Sequence, residues 1–350
     1  MKIFQAVDNP YNATNQYVMT LIDGINAITD DIEWGWGIDK FWQNDILEYD
    51  ITHIHWPDAL LWVHHTPKQI EDRLQKLQRL GIKIVATCHN IEPHYCTNQN
   101  QIESYRIVYN KCDMMIHLGN FSYKLMLKEY PHVKHVILPH QIYDTFYSRN
   151  NDKRICCKSL NINSKNEYLL CFGAFRDDEE REMVQKIAME FIKKNIYILA
   201  PSYETLTQNG LRDKLKSTLK KIHLKRKHII CSGYGNGKVP IEMTPYYYGA
   251  SSIAIIQRKR ILNSGILPLA FLMGKVVVGP NIGNVGLLLT ETGNPTFDIN
   301  DDDSIIKAVN KARMLAKNNF GENNTKYALE HFSTQKVSTI LFNYYKSLFT

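Results

Sequence analysis

Short apolar runs alternate with amphipathic stretches along the whole chain, and no other feature constrains its fold as strongly. KIFQAV (2–7), THIHW (52–56), IKIVATC (82–88), DMMIHL (113–118) and HVILP (135–139) read as strands. Helical spacing fills 68–80 and 121–130, and Gly81 stops the first of these helices. A second series follows: YLLCFGAF (168–175), NIYILA (195–200), HIICSG (228–233), SIAIIQ (252–257) and KVVVGP (275–280) as strands, with helices over 179–194, 209–224, 301–318 and 333–349. Strand–helix alternation predicts an α/β fold of parallel sheets covered on both faces. The polar, weakly periodic stretch 150–166 predicts a connector between two doubly wound domains with a cleft between them. At 350 residues, two domains also match the length, and cores of that size need no disulfide or metal staple.

Seven scattered cysteines with no C-x-x-C argue against a zinc site or a disulfide framework. No apolar run reaches 18 residues, and the opening MKIFQAVDNPY lacks a signal-peptide core. The expected location is therefore cytoplasmic. Charge is unevenly shared. Residues 1–150 carry 13 Lys and Arg against 17 Asp and Glu, a net of −4; residues 151–350 carry 29 against 18, a net of +11. The second half suits an anionic ligand.

Ligands of open α/β sheets bind at the carboxyl ends of the strands. Two neighbouring strands of the first half end in His53-Ile54-His55-Trp56-Pro57 and Thr87-Cys88-His89-Asn90-Ile91-Glu92-Pro93-His94. They bring His55, His89, Asn90, Glu92 and His94 to one rim, a cluster that favours recognition of a polar ligand; a single His there would read as packing or capping. H-x-H and H-x4-H without a third ligand are weak zinc signals.

In the second half, Gln257-Arg258-Lys259-Arg260-Ile261-Leu262-Asn263-Ser264-Gly265 follows a strand and opens a helix. Backbone N–H groups at such a start suit a diphosphate, with Arg258 and Arg260 adding charge. An ordinary N-cap with solvated basic residues is the other reading. Gly173-Ala174-Phe175-Arg176 lets a phosphate approach and an Arg clamp it. Pro280-Asn281-Ile282-Gly283-Asn284 is a further glycine-bearing strand end, and Gly233–Gly237 reads equally as a connector. Arg212–His228 holds eight Lys and Arg with Leu and Ile at helical spacing. It reads first as a solvated helix face, and second as a contact for the inner membrane surface. Nucleic acid is not an expected partner, because aromatics are not interleaved among these cations.

HIHWP (53–57), TCHNIEPH (87–94), LPH (138–140) with Tyr143, GAFR (173–176), RKRILNSG (258–265) and MGKVVVGPNIGN (273–284) together resemble bacterial GT-B glycosyltransferases, most of all the family 4 group that builds surface polysaccharides. The resemblance implies a Rossmann-like acceptor domain over 1–150 and a Rossmann-like donor domain over 151–332, with a helix over 333–350 packing back on the first. It implies a retaining transfer of a hexose from a UDP- or GDP-sugar to a saccharide or lipid-linked acceptor, in exopolysaccharide, capsule or O-antigen synthesis.

On this reading His89 positions the donor sugar, and Glu92 and His94 complete the catalytic group. Gly173, Arg176, Arg258, Arg260, Asn263, Ser264, Gly265, Gly283 and Asn284 hold the donor. Tyr11, Asn15, His55, Asn90 and His140 meet the acceptor. Were the reaction inverting, Glu92 or Asp58 could serve as general base. No cofactor or essential metal is expected, since no Asp-x-Asp stands at a strand end. One departure from the family is clear. Its E-x7-E acidic pair, the later Glu of which holds the ribose, aligns with Ile261 and Leu269. A non-catalytic sugar-nucleotide-binding protein and a nucleotide-sugar epimerase are the alternatives this leaves.

Overall fold

The computed structural model describes all 350 residues apart from 14, 63, 94–97, 151, 205–210 and 234–238, and apart from the side chains of Leu211 and Asp302. The chain divides into two compact units, Met1–Tyr143 with His331–Thr350, and Asp144–Glu330.

The first unit is built on β1 (Lys2–Ala6), β2 (Glu33–Trp36), β3 (Ile51–Ile54), β4 (Lys83–Cys88), β5 (Met114–His117) and β6 (Lys134–Ile137). Their order is β2-β1-β3-β4-β5-β6, with parallel pairing throughout. β3 and β5 are buried at every position, as strands covered on both faces must be. The covering helices start on strong local signals. Helix Pro67–Arg79 opens with a capping box between Thr66 and Gln69 and with Pro at its first position, and it buries Ile70, Leu74 and Leu77 in one stripe. The last helix, Thr334–Lys346, packs on the first, Tyr17–Asn26, and sinks Val337, Leu341 and Tyr345 into this unit's core. Gly24 permits that approach, because a Cβ there would fall 2.2 Å from Ser338 Oγ.

The second unit carries β7 (Glu167–Leu170), β8 (Ile196–Leu199), β9 (Ile229–Ile230), β10 (Ile253–Ile255), β11 (Val276–Pro280) and β12 (Thr296–Phe297). They are again all parallel, in the order β12-β11-β10-β7-β8-β9. Each sheet has one point where the strand order reverses, between β1 and β3 in the first and between β7 and β10 in the second. Crevices at the carboxyl ends of such points are where open α/β sheets bind ligands.

Three differences from the sequence reading have local causes. The stretch 150–166 is no connector: Asp152 caps helix Lys153–Ser159, whose Cys156 and Cys157 are buried in the second unit. The chain leaves the first unit after Tyr143 and re-enters it at His331. β2 and β12, four and two residues long, add an edge strand to each sheet. Among the described residues no helix is long and apolar enough to cross a membrane.

Candidate active site

In the first unit the ends of β1, β3 and β4 carry a buried hydrogen-bonded chain. The register sets Gln5 on β1 beside His53 on β3. His53 Nε2 lies 2.7 Å from Thr87 Oγ1, and its Nδ1 lies 2.6 Å from the Tyr345 hydroxyl on the last helix. The Gln5 amide N–H points at that hydroxyl over 3.4 Å, and Gln5 Oε1 lies 2.9 Å from His55 Nε2. His55 Nδ1 is 3.2 Å from His89 Nε2.

Gln5 fixes the direction of every bond. Its Oε1 can only accept, so His55 carries its proton on Nε2 and accepts on Nδ1; His89 therefore donates from Nε2. On the other branch Tyr345 donates to His53 Nδ1, and His53 Nε2 donates to Thr87. Burial keeps the His53 and His55 rings neutral. It pushes His53 down to about 3, with the positive potential of His89 adding to the effect, and it holds His55 well below its ordinary value. Trp56 stacks on His89 at 4.9 Å, and the Tyr17 ring meets His89, His55 and His140 edge-on. His140 donates from Nδ1 to the Gln141 carbonyl, and burial pushes it down to about 4.

Beside this chain, over the β1–β3 reversal, opens a cavity of about 550 Å³. Val7, Val18, Ile38, Trp56 and Trp62 give it apolar walls; Asp8, Asn15, Asp58 and Asn90 give it polar groups. The described lining residues include no Lys or Arg. Such a mix suits a neutral molecule with an apolar face and hydroxyls.

Of the expected acceptor residues, Asn15 and Asn90 line this cavity, His55 lies in the buried chain beneath it, and His140 packs against Tyr17. Tyr11 lies outside the lining: its hydroxyl donates to Asp23 at 2.8 Å, and its ring rests on Trp36. Glu92 is exposed in the loop after β4, also outside the lining, and His94 lies outside the described residues. Gln5, Tyr17, Thr87 and Tyr345 enter the site without a sequence signal for a role there.

In the second unit the loops after β7, β10 and β11 interlock. Arg258 is only 6% exposed; its guanidinium pairs with Glu180 and donates to the Ala174 carbonyl at 2.5 Å. Burial pushes the Glu180 carboxyl up, while the Arg176 N–H and the Arg258 charge oppose that. Glu180 also accepts from the Arg176 amide at 2.8 Å. Arg258 thus holds the Gly173–Arg176 loop instead of standing open to a ligand.

Arg260, with its side chain 83% exposed, and the half-buried Arg176 are the outward cations. Arg176 donates to the Arg260 carbonyl at 3.2 Å, and Arg260 reaches Asp177 at 3.4 Å. Gly173 (φ +92°) packs under Ile266. The helix after β10 starts at Ile266, with Gly265 as its N-cap and no side-chain cap from Ser264. Asn284 donates to Asn263 at 2.8 Å, and its amide donates to the Leu262 carbonyl at 2.9 Å. Gly283, at φ +62°, sits where a Cβ would fall 2.6 Å from the Ile261 carbonyl oxygen, so only glycine closes this pair of loops. Ile261 and Leu269 put no carboxylate here. Among the described residues no three His, Cys, Asp or Glu side chains gather to hold a metal ion.

No family model and no curated protein matches the chain. Solved structures do match. Sucrose-phosphate synthase (tll1590) from Thermosynechococcus elongatus is 12% identical with a TM-score of 0.72, over 99% of this chain and 98% of that one. Anabaena Alr3699/HepE, solved in complex with UDP-glucose, is 13% identical with a TM-score of 0.69, over 99% and 100%. A putative UDP-N-acetylglucosamine 2-epimerase from Listeria monocytogenes is 11% identical with a TM-score of 0.61, over 99% and 96%. The two parallel sheets and this likeness define the fold as GT-B, the two-domain Rossmann-like architecture.

Proposed function

We propose that the chain is a glycosyltransferase that moves a hexose, with retention, from a UDP- or GDP-sugar to a saccharide or lipid-linked saccharide in the synthesis of a surface polysaccharide. The observation that carries this reading is the interlocked set of three glycine-bearing loops at the β7–β10 reversal, with Arg176 and Arg260 turned outward. The HepE structure, with UDP-glucose bound to the same fold, supports it. A departing nucleoside diphosphate gathers negative charge; the two guanidiniums and the backbone N–H groups of Asn263–Gly265 would stabilise it. No step calls for a metal or cofactor. Arg258 supports the site from beneath, through Glu180. The cavity of the first unit would take the uncharged saccharide end of the acceptor, with Trp56 and Trp62 against sugar faces and Asp8, Asp58 and Asn90 for hydroxyls.

The absence of the acidic pair at Ile261 and Leu269 favours a second reading, a binder or an epimerase. One assay separates the three. Given UDP- and GDP-hexoses, a transferase releases nucleoside diphosphate, faster once a saccharide acceptor is added. A binder gains thermal stability by mass action and releases none. An epimerase returns an altered donor with no free nucleotide.

Arg176→Ala and Arg260→Ala should each weaken donor binding by about 1.5–3 kcal/mol, the worth of a charge-assisted hydrogen bond to phosphate. Calorimetric titration with the donor checks this, and unchanged affinity in both variants would reject the clamp. His89→Ala should lower kcat about 10²-fold with a smaller change in donor KM, as expected of a contact that tightens in the transition state. Turnover and melting midpoint are measured together. A normal melt with near-normal turnover would move the reaction away from His89.

A further inference from the structure

The helix Leu211–Arg226 turns an apolar stripe toward solvent. Leu215 is 63% exposed, Leu219 58% and Ile222 46%. At 100° per residue these three fall within about 60° of arc and span about 10 Å of helix axis. Ser217 and Leu224, 8% and 6% exposed, lie on the opposite side and face the unit's interior. A surface helix ordinarily presents its polar face to water. Single exposed apolar residues need no explanation; three in register on one outward stripe do. Exposed cations border the stripe, with Lys214 and Lys225 along one flank, Arg212 and Lys216 along the other, and Arg226 at its end. Asp213 is the sole acidic residue of the helix. Among the described residues Lys220 alone of the helix cations makes an ion pair, to Glu204 at 2.9 Å.

We infer that this helix is a docking surface for an anionic phospholipid bilayer, lying in the headgroup plane with Leu215, Leu219 and Ile222 inserted. Charge decides the occupant. A ring of exposed cations is drawn to anionic headgroups and suits an uncharged or cationic partner poorly, while the long Lys and Arg stems let the charges stay at headgroup level as the apolar stripe sinks. Nucleic acid would use the cations but leave the three apolar side chains without a role. The surface stands independently of the catalytic reading. It adds to that reading a reason for the chain to work where a lipid-linked acceptor would reside.

The test is flotation of the full chain with vesicles of mixed phosphatidylglycerol and phosphatidylcholine, and with vesicles of phosphatidylcholine alone. Binding is expected to the mixed vesicles only, and to fall as salt rises. Leu215→Ser, Leu219→Ser and Ile222→Ser combined should reduce the partition coefficient at least about 10-fold, because burial of the stripe supplies the insertion. Lys214→Glu, Lys216→Glu and Lys225→Glu combined should do the same. All six positions carry exposed side chains, so both variants should melt as the parent does. Equal binding to both vesicle types, or full binding by the triple-Ser variant, would overturn the inference. So would a triple-Ser variant that changes only the oligomeric state, or cation-dependent binding to duplex DNA that ignores the three apolar positions.

Discussion

Lowering the pH from 7.5 to 5 should destabilise the first unit by about 6 kcal/mol, a large share of the stability of a typical domain. The effect comes mainly from three imidazoles that burial holds neutral, His53, His117 and His140, with His55 acting in the same direction. Burial pushes His53 and His117 down to about 3 and His140 down to about 4, and holds His55 well below its ordinary value; a ring neighbour adds to the shifts of His53, His55 and His117. In the unfolded chain each titrates near about 6.5. Between the folded and unfolded values the unfolded chain binds protons that the native chain refuses, so stability rises with pH across that window. It is fully present above about 6.5 and is lost as the pH falls. By pH 5 His53, His117 and His140 each cost about 2 kcal/mol, and His55 adds a cost of the same sign. The readout is specific, because all five tryptophans, residues 34, 36, 42, 56 and 62, lie in this unit. A tryptophan-fluorescence melting midpoint that stays level from pH 7.5 to 5 would refute the neutral-ring assignment.

Arg258→Ala should cost the second unit about 3–5 kcal/mol, because it strands the Glu180 carboxylate in the interior. Arg260→Ala, two residues on, should change stability by no more than about 0.5 kcal/mol, since its partner Asp177 is reached from solvent. Replacing both members of the buried pair, Arg258→Met with Glu180→Gln, should recover most of the loss, because no unpaired charge is then left inside. Calorimetric melting of the three variants checks the pattern. An Arg258→Ala variant that melts like the parent would mean that Glu180 is not ionised there. Any loss of donor affinity in Arg258→Ala is then expected to follow from a loosened Gly173–Arg176 loop.

Period and punctuation made most of the fold legible. The apolar runs THIHW, IKIVATC and SIAIIQ became β3, β4 and β10. β2 escaped because Glu-Trp-Gly-Trp is short and no more than half-buried, and β12 because two residues carry no period. The helix at 153 escaped because seven residues with two adjacent cysteines make barely two turns, although Asp152 was a legible N-cap. At the site, His55, His89 and Asn90 were readable because they end strands. Gln5 and Tyr345 were not, since one depends on the register of β1 against β3 and the other meets its partner across 292 residues. The basic triplet 258–260 gave charge without direction. A sequence cannot say which guanidinium turns inward until Glu180 is placed beside it.

The return of the last helix to the first unit has a consequence for how the protein is made. Residues 1–143 leave the ribosome before the second unit, yet Val337, Leu341 and Tyr345, which complete their core, leave it after that unit. Until then the groove over helix Tyr17–Asn26 is uncovered, and His53 lacks the hydroxyl that fixes its proton. The nascent first unit must therefore wait, incomplete, through synthesis of the entire second unit, which is contiguous and can fold as it emerges. The imidazole chain assembles only after the second unit has been made, so a chain arrested before helix Thr334–Lys346 would hold a folded second unit beside an unfinished first one.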